Sequence, residues 1–326
     1  MEPLYKKFNN PFILIIFICF SGIANADGVF YGKLNIELAN VKESSQNKTE
    51  TINNASRIGF KSSFKFYNNL ELSLQIENEI DPTDAKADGD KILKQRNTFI
   101  AITGDFGKIF LGTHDTAFKK SQLNIDLFND TESDIKKLFH GENRMQDLIG
   151  YSSPELFKNF KVTLNRINQS NGSYQSISFD YSGPILKSSL AIDANAKGYN
   201  SQRLSLALPI NQTTIGFMYQ DSKDTNYNED ESGYVLSINH RLTESSSLRI
   251  QNGISDMKIE GGKQKSIGYD YKINNAVKVF SVYSKLNSIS DNFNTTILSF
   301  GFEFKFGDVN MLLFLKNNLL ISINYL

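Results

Sequence analysis

The 326-residue chain has one cysteine, no tryptophan, three histidines and no excess charge, its 35 Lys and Arg matching 35 Asp and Glu. Each shortage removes a class of function. One cysteine excludes a disulfide framework and any multi-thiolate metal centre. His114, His140 and His240 are too few and too scattered for a histidine metal site without heavy use of carboxylates. They read as three unrelated side chains, and no metal or cofactor is expected. Zero net charge with no basic block argues against a nucleic-acid partner, because phosphate binding needs Lys and Arg in excess. The longest apolar run, Phe12 to Phe20, is shorter than the roughly 20 residues a helix needs to cross a bilayer. With 40% hydrophobic residues and a mean hydropathy of -0.32, the chain is too apolar for disorder and too polar for a bundle of membrane helices.

Residues 1–26 read as an export signal. Lys6 and Lys7 precede the apolar run, and small residues follow it, ending in Ala24-Asn25-Ala26, with cleavage expected after Ala26. Cys19 lies inside the run and would leave with it.

The rest alternates with period two, which only a strand can use. Ile58, Phe60, Phe64 and Phe66 share a face opposite Arg57, Lys61, Ser63 and Lys65. Leu298, Phe300, Phe302, Phe304 and Phe306 do the same opposite Ser299, Gly301, Glu303 and Lys305. The least clean segment is Ala276 to Leu286, where Phe280 and Val282 share the face of Lys278. Sixteen strands are predicted between Gly28 and Phe306, centred near Leu34, Gly59, Leu74, Phe99, Leu111, Ile149, Val162, Phe179, Leu190, Leu206, Phe217, Leu236, Ile250, Tyr269, Val279 and Phe302. Short turns such as Gly104 to Phe106 alternate with longer, more polar connections such as Ser44 to Asn54, Asp81 to Lys94, Thr116 to Gln146 and Ala196 to Asn200. An even strand count with short turns on one side, and many strands ending in Tyr or Phe, is the layout of an all-β outer-membrane barrel. A soluble β-sandwich produces the same alternation, so a secreted adhesin or carbohydrate binder is the competing reading.

Particular residues also carry a resemblance. Phe30-Tyr31-Gly32-Lys33, Ser56 to Lys61, Arg96 to Ala101, the turn Gly104-Asp105-Phe106-Gly107 and the stretch Arg144 to Tyr151 resemble, in order and spacing, the general porins of Gram-negative outer membranes. The resemblance is good over 28–164, then weakens to periodicity until the Phe-rich ending. It implies a 16-stranded antiparallel transmembrane β-barrel, a homotrimer in contact with outer-membrane lipids, with a long third loop folded into the lumen. The function it implies is passive diffusion of ions and small hydrophilic solutes, with a solute-specific channel as the variant. Thr116 to Gln146, the longest connection, stands where that loop is required. By resemblance its Asp126, Asp130, Glu132 and Asp134 would face a basic wall of Lys33, Arg57, Arg96 and Arg144. Independently, the alternation turns Lys33 and Arg57 away from the apolar face. The loop holds five acidic and five basic residues, so its net charge predicts no selectivity.

Two departures stand out. The loop lacks a Pro-Glu-Phe-Gly-Gly stretch found in some members, and 20 residues follow Phe306, where the family ends on an aromatic. The expected division is therefore 1–26 signal, 27–306 barrel and 307–326 extension, the last reading equally as an added strand, an assembly liability or a shifted reading frame. Enzyme motifs do not assemble: Ser133-Asp134-Ile135-Lys136 and Ser290-Asp291-Asn292 match two signatures of penicillin-binding proteins, but the third, Lys-Thr-Gly, is absent.

Overall fold

The computed structural model describes residues 27–43, 46–67, 69–84, 92–169, 172–258, 262–288 and 294–310. The expected export signal, Ser290 to Asn292 and residues 311–326 lie outside them. Strand segments in chain order are β1 (Asp27–Glu43), β2 (Gln46–Asn53), β3 (Arg57–Tyr67), β4 (Leu70–Ile80), β5 (Leu93–Gln95), β6 (Thr98–Gly104), β7 (Gly107–Asp115), β8 (Arg144–Ser152) and β9 (Phe160–Gln169). They continue as β10 (Gly172–Ser182), β11 (Lys187–Ala196), β12 (Tyr199–Ile210), β13 (Thr213–Asp224), β14 (Asp230–Arg241), β15 (Ser246–Ser255), β16 (Gly262–Lys272), β17 (Val277–Asn287) and β18 (Asn294–Asn310). Each neighbouring pair is antiparallel, and β18 pairs with β1 from Thr295↔Glu43 to Asn310↔Val29, which closes the sheet into a barrel.

These segments make sixteen spans. β2 and β3 both pair with β1, one at each end, and are a single span interrupted at Asn54 to Ser56. β5 and β6 both pair with β4 and are interrupted at Arg96 and Asn97. In each gap a backbone bond to the neighbour holds the line, Asn54 N–H to Asn35 O (2.8 Å) and Arg96 N–H to Glu77 O (2.9 Å). All sixteen predicted strand centres fall inside a span.

The polarity of the two faces is inverted relative to a soluble protein. Leu190 is 57% and Phe300 64% exposed on the outside, whereas Ser176, Ser205, Gln220 and Ser299 point inward and are fully buried. Outward apolar residues recur on strand after strand around the barrel. Such a continuous band far exceeds the few hundred Å² of apolar patch that a soluble monomer exposes. It requires hydrocarbon as its solvent, and this rules against the sandwich. A closed barrel is the β-structure that satisfies every backbone group there.

Three expectations shift. β18 runs past Phe306 to Asn310, so the barrel seam includes four residues assigned to the extension. Arg144 opens β8, so the third connection is 116–143. Several connections are also shorter than expected: most of Ser44 to Asn54 is strand β2, and Ala196 to Asn200 shrinks to Lys197 and Gly198. Polar residues beyond the hydrocarbon still pair their backbones, and positive φ at Lys197 (53°) and Gly198 (90°) suits a two-residue hairpin.

Aromatic rings repeatedly cover a glycine directly opposite on the next strand, as Phe110 over Gly150 and Phe306 over Gly32. A Cβ on Gly32 would lie 2.2 Å from the Phe306 ring. Gly32→Leu should therefore destabilise the closing seam by about 1–3 kcal/mol, as overpacking does. The check is a lower temperature of the folded-to-unfolded band shift on SDS gels, with partial rescue by adding Phe306→Ala.

Candidate functional site

The 116–143 segment lies against inward-facing side chains from β9 round to β1. It begins with a short helix, α1 (Ala117–Lys120), capped by the Thr116 hydroxyl, which accepts from Lys119 N–H (3.1 Å). Ala117 N–H donates to Asn165 of β9 (2.6 Å) and Phe118 N–H to Ser176 of β10 (2.9 Å). Arg203 of β12, fully buried, donates to Phe118 O (3.1 Å) and Glu142 (2.8 Å) and lies over the Phe118 ring (4.3 Å). Leu127 N–H donates to Gln251 of β15 (2.7 Å), and Arg249 of β15 donates to Leu127 O and covers the Phe128 ring (4.7 Å).

Apolar contacts complete the seat. Ile125, Ile135, Leu138 and Phe139 pack with Met218 and Val235 of the wall and with Met257 just after β15, and Phe128 packs with Phe280 and Val282 of β17. This explains the imperfect alternation of β17: Phe280 and Val282 turn inward with Lys278 because Phe128 docks there. Gly253, Gly262 and Gly268 form part of the floor, where a Cβ would approach Leu138 at 2.9 and 2.7 Å and Phe128 at 2.9 Å. Close approach of a second layer demands glycine at such strand positions.

From this seat the loop tip reaches the opposite side of the lumen. Asp130, at φ 66°, places Oδ2 3.5 Å from Lys33 Nζ and 3.4 Å from Arg57 Nη2, and Oδ1 3.9 Å from Arg96 Nη2. Burial pushes its carboxyl pKa up, but Lys33, Arg57 and Arg96 outweigh that and hold it below the usual range. Both strand interruptions lie here, just before Arg57 and at Arg96, so they aim the two guanidinium groups into the lumen, as bulges commonly re-aim side chains.

The other predicted acids do different work. Asp126 is buried and accepts from Phe128 N–H (3.0 Å), Ile135 N–H (3.1 Å) and Gln251 Nε2 (3.1 Å). Burial, with the Asp134 carboxylate nearby, raises its pKa well above the ordinary value. Asp134 is also buried; it caps the 3₁₀ turn Ile135–Lys137 by accepting from Lys136 N–H (2.7 Å), and it accepts from Asp130 N–H (3.0 Å). Glu132 pairs within the loop to Lys137 (2.5 Å). Arg144 pairs with Asp115 (3.0 Å), which also holds Lys119 (3.0 Å), and has no contact with Asp130.

Sequence reasoning missed the wall carboxylates. Arg96 donates through Nε to Glu77 (2.9 Å) and through Nη1 to Glu79 (3.1 Å), and Tyr31 donates to Glu77 (2.9 Å). Lys33 shares Glu303 (3.8 Å) with Lys278 (3.9 Å) and Lys305 (3.2 Å). Their alternation, Glu77 and Glu79 two apart on β4, marked them as facing inward; a match to the family's basic cluster did not. The three histidines lie apart: His114 against Phe99 and Phe110, His140 stacked on Tyr199 at 3.8 Å, and His240 bonded to Thr213 (2.8 Å).

Between the loop and the wall of β2 to β8 lies a cavity of about 190 Å³. Five carboxylates (Glu79, Asp130, Glu132, Asp134, Glu142) and five cations (Lys94, Arg96, Lys119, Lys136, Arg144) border it. Because Asp126 holds three donors of the loop's own frame, Asp126→Ala should loosen the loop by about 1 kcal/mol per lost bond. Single-channel records should show increased current noise with little change in reversal potential, since Asp126 is not at the cavity.

A family profile described as Gram-negative porin matches residues 14–312. The major outer membrane protein P.IB of Neisseria sicca is 31% identical over 153 residues, 43% of this chain and 42% of that protein. The chain thus aligns with less than half the length of that relative. Among solved structures, the anion-selective porin from Comamonas acidovorans superposes with TM-score 0.74 at 15% identity, covering 86% of this chain and all of that one. OmpF of Salmonella typhi in complex with daunomycin gives 0.70 at 13% identity, with 86% and 98% covered. The trimer form of OmpT from Vibrio cholerae gives 0.66 at 15%, with 86% and 99% covered.

Proposed function

Because the chain belongs to the Gram-negative porin family, we propose that it forms a water-filled outer-membrane channel for passive diffusion of ions and small hydrophilic solutes, and that the gap beside Asp130 is its constriction. The observation that carries this reading is the placement of one loop carboxylate against Lys33, Arg57 and Arg96. Opposite charges across a narrow aqueous gap make a transverse field, which orients dipolar solutes and gives cations and anions separate lanes. The work is electrostatic and steric, with no covalent step, so the chain acts as a channel and not an enzyme.

Asp130 and Glu132 supply the acidic side of the gap, while Asp126 and Asp134 hold the loop in shape. Lys33, Arg57 and Arg96 supply the basic side, with Arg144 flanking it. Glu77, Glu79 and Glu303 offset much of that basic charge, so ion selectivity should be weak. Trimeric assembly, as in the Vibrio OmpT form named above, is the expected functional unit.

Recording the refolded chain in a planar bilayer under a salt gradient tests the assignment. Asp130→Asn should shift the permeability ratio toward anions by about threefold, the effect of one charge at roughly 6 Å in water. Asp134→Asn should alter noise more than selectivity. An unchanged reversal potential in the Asp130 variant would sink the site, and no stepwise ohmic openings from folded wild type would sink the channel. The Asp130 ion pairs exist above its lowered pKa and vanish as pH falls through it. The difference between wild type and Asp130→Asn should therefore persist through pH about 4, the ordinary carboxylate value, and be lost only below it.

A further inference from the structure

Under α1 the inner wall carries a carboxylate that the seat of the loop does not use. Asp193 of β11 faces inward, with Ser176 of β10 and Ser201 of β12 as its direct ladder partners on either side. It is 1% exposed, and neither of its oxygens has a hydrogen-bond partner among the described residues. Arg203 and Glu142 act on it electrostatically, but Arg203 donates to Glu142 (2.8 Å), Gln220 (2.7 Å) and Phe118 O (3.1 Å), not to Asp193. Two buried carboxylates thus share one guanidinium, which leaves one negative charge over. Buried charges are paired or coordinate a cation, because an uncompensated one is strongly disfavoured away from water.

The groups around Asp193 are oxygen donors. Tyr174 of β10 is buried, packs with Ile167 and Ala196, and has a hydroxyl without a partner; the charge that acts on it is that of Asp193. Of the two flanking serines, Ser176 accepts from Phe118 N–H of α1 (2.9 Å), and Ser201 is bonded to Ser222 (2.8 Å). On the loop side Gln122 donates to Glu142 (3.1 Å), while its own carbonyl oxygen is buried and unpartnered. No group of three His, Cys, Asp or Glu gathers among the described residues, so a transition metal has no seat here. A carboxylate with neutral oxygens about it is the ligand set of calcium. The scarcity of histidine and cysteine, which argues against zinc-type centres, does not bear on an oxygen-only site.

We infer that Asp193, with Tyr174 and the flanking serines, binds one calcium ion where β10, β11 and β12 meet the root of the 116–143 segment. Asp193 lies near the end of β11 that leads into the Lys197-Gly198 hairpin, on the same side of the barrel as the long loop. Long loops mark the external end of such barrels, so the ion comes from the outside medium; that orientation rests on the outer-membrane reading above, and the site itself does not. Extracellular calcium sites bind with Kd of about 10⁻⁴–10⁻³ M, as suits a site with one free carboxylate. The ion ties the root of the segment to the wall, as Lys33, Arg57 and Arg96 hold its tip.

Terbium luminescence of the detergent-refolded chain tests this. Terbium takes calcium's oxygen ligands and emits when an adjacent phenol is excited, and without tryptophan in the chain a tyrosine must be the donor. Tyrosine-excited emission should appear on adding terbium chloride and fall on adding calcium chloride, at concentrations on the order of millimolar. Asp193→Asn should weaken terbium binding about tenfold or more, since affinity follows the count of charged ligands. Tyr174→Phe should remove most of the emission. Asp224→Asn, at the other inward or loop carboxylate beside a tyrosine, Tyr199, should change neither. Calcium should also raise the temperature of the SDS-gel band shift for wild type and not for Asp193→Asn, and the same gel shows that the variant folds. No tyrosine-excited emission from folded wild type would mean that the site holds water only, and would overturn the assignment. Emission kept in folded Asp193→Asn, emission lost in Asp224→Asn, or equal displacement by sodium chloride at the same ionic strength would overturn it too. Failure of wild type to conduct would overturn the channel reading alone.

Discussion

Inside hydrocarbon no water is present to take an unpaired N–H or C=O, so a spanning sheet must have no edge. The ladder between β1 and β18 meets that demand, and the rest of the molecule depends on it. Once the sheet closes, period-two alternation sorts every strand into one face for lipid and one for water. Inward positions can then carry Ser, Gln, Asp and Arg that a soluble core would not tolerate. The closing seam is reinforced where Phe306 lies on Gly32, and it continues to Asn310.

The lumen is furnished by a second structural layer. The long connection is seated on β9 to β17 by side chains bonded to its backbone, by rings beneath Arg203 and Arg249, and by apolar contacts on a partly glycine floor. That seat leaves one carboxylate, Asp130, free to meet cations on β1, β3 and the interrupted strand before β6. Ion pairs then run on around the wall: Arg249 to Asp270 (2.7 Å), Asp270 to Lys278 (3.8 Å), Lys278 to Glu303, and Glu303 to Lys33. The charges along the inner wall alternate in sign over these five neighbouring strands, and the string adds to the field in the gap.

The fold was largely legible because alternation, turn spacing and strand number are local signals, and each predicted strand centre lies in a span. Loop lengths were less so, since polar residues such as those of β2 lengthen a hairpin as readily as they make a loop. At the candidate site, motif position and facing pointed to Lys33, Arg57 and Arg96, which meet Asp130, and also to Arg144, which pairs with Asp115 instead. The acids were not separable: Asp126, Asp130, Glu132 and Asp134 look alike in sequence, and only the folded loop shows that two are turned into its own frame. Inward apolar residues such as Phe280, Val282, Met218 and Val235 carried the docking signal, and they register in the sequence only as blemishes in the alternation.

The loop is fastened at both ends and along one flank to β9 through β17, and its tip is held by charge to strands on the far side. Mechanically it is a cross-brace. A single-layered cylinder of sheet bends easily across its diameter, and lateral pressure from the bilayer would flatten it. A strut that joins opposed walls resists such ovalisation, so the element proposed as the constriction would also keep the cross-section round.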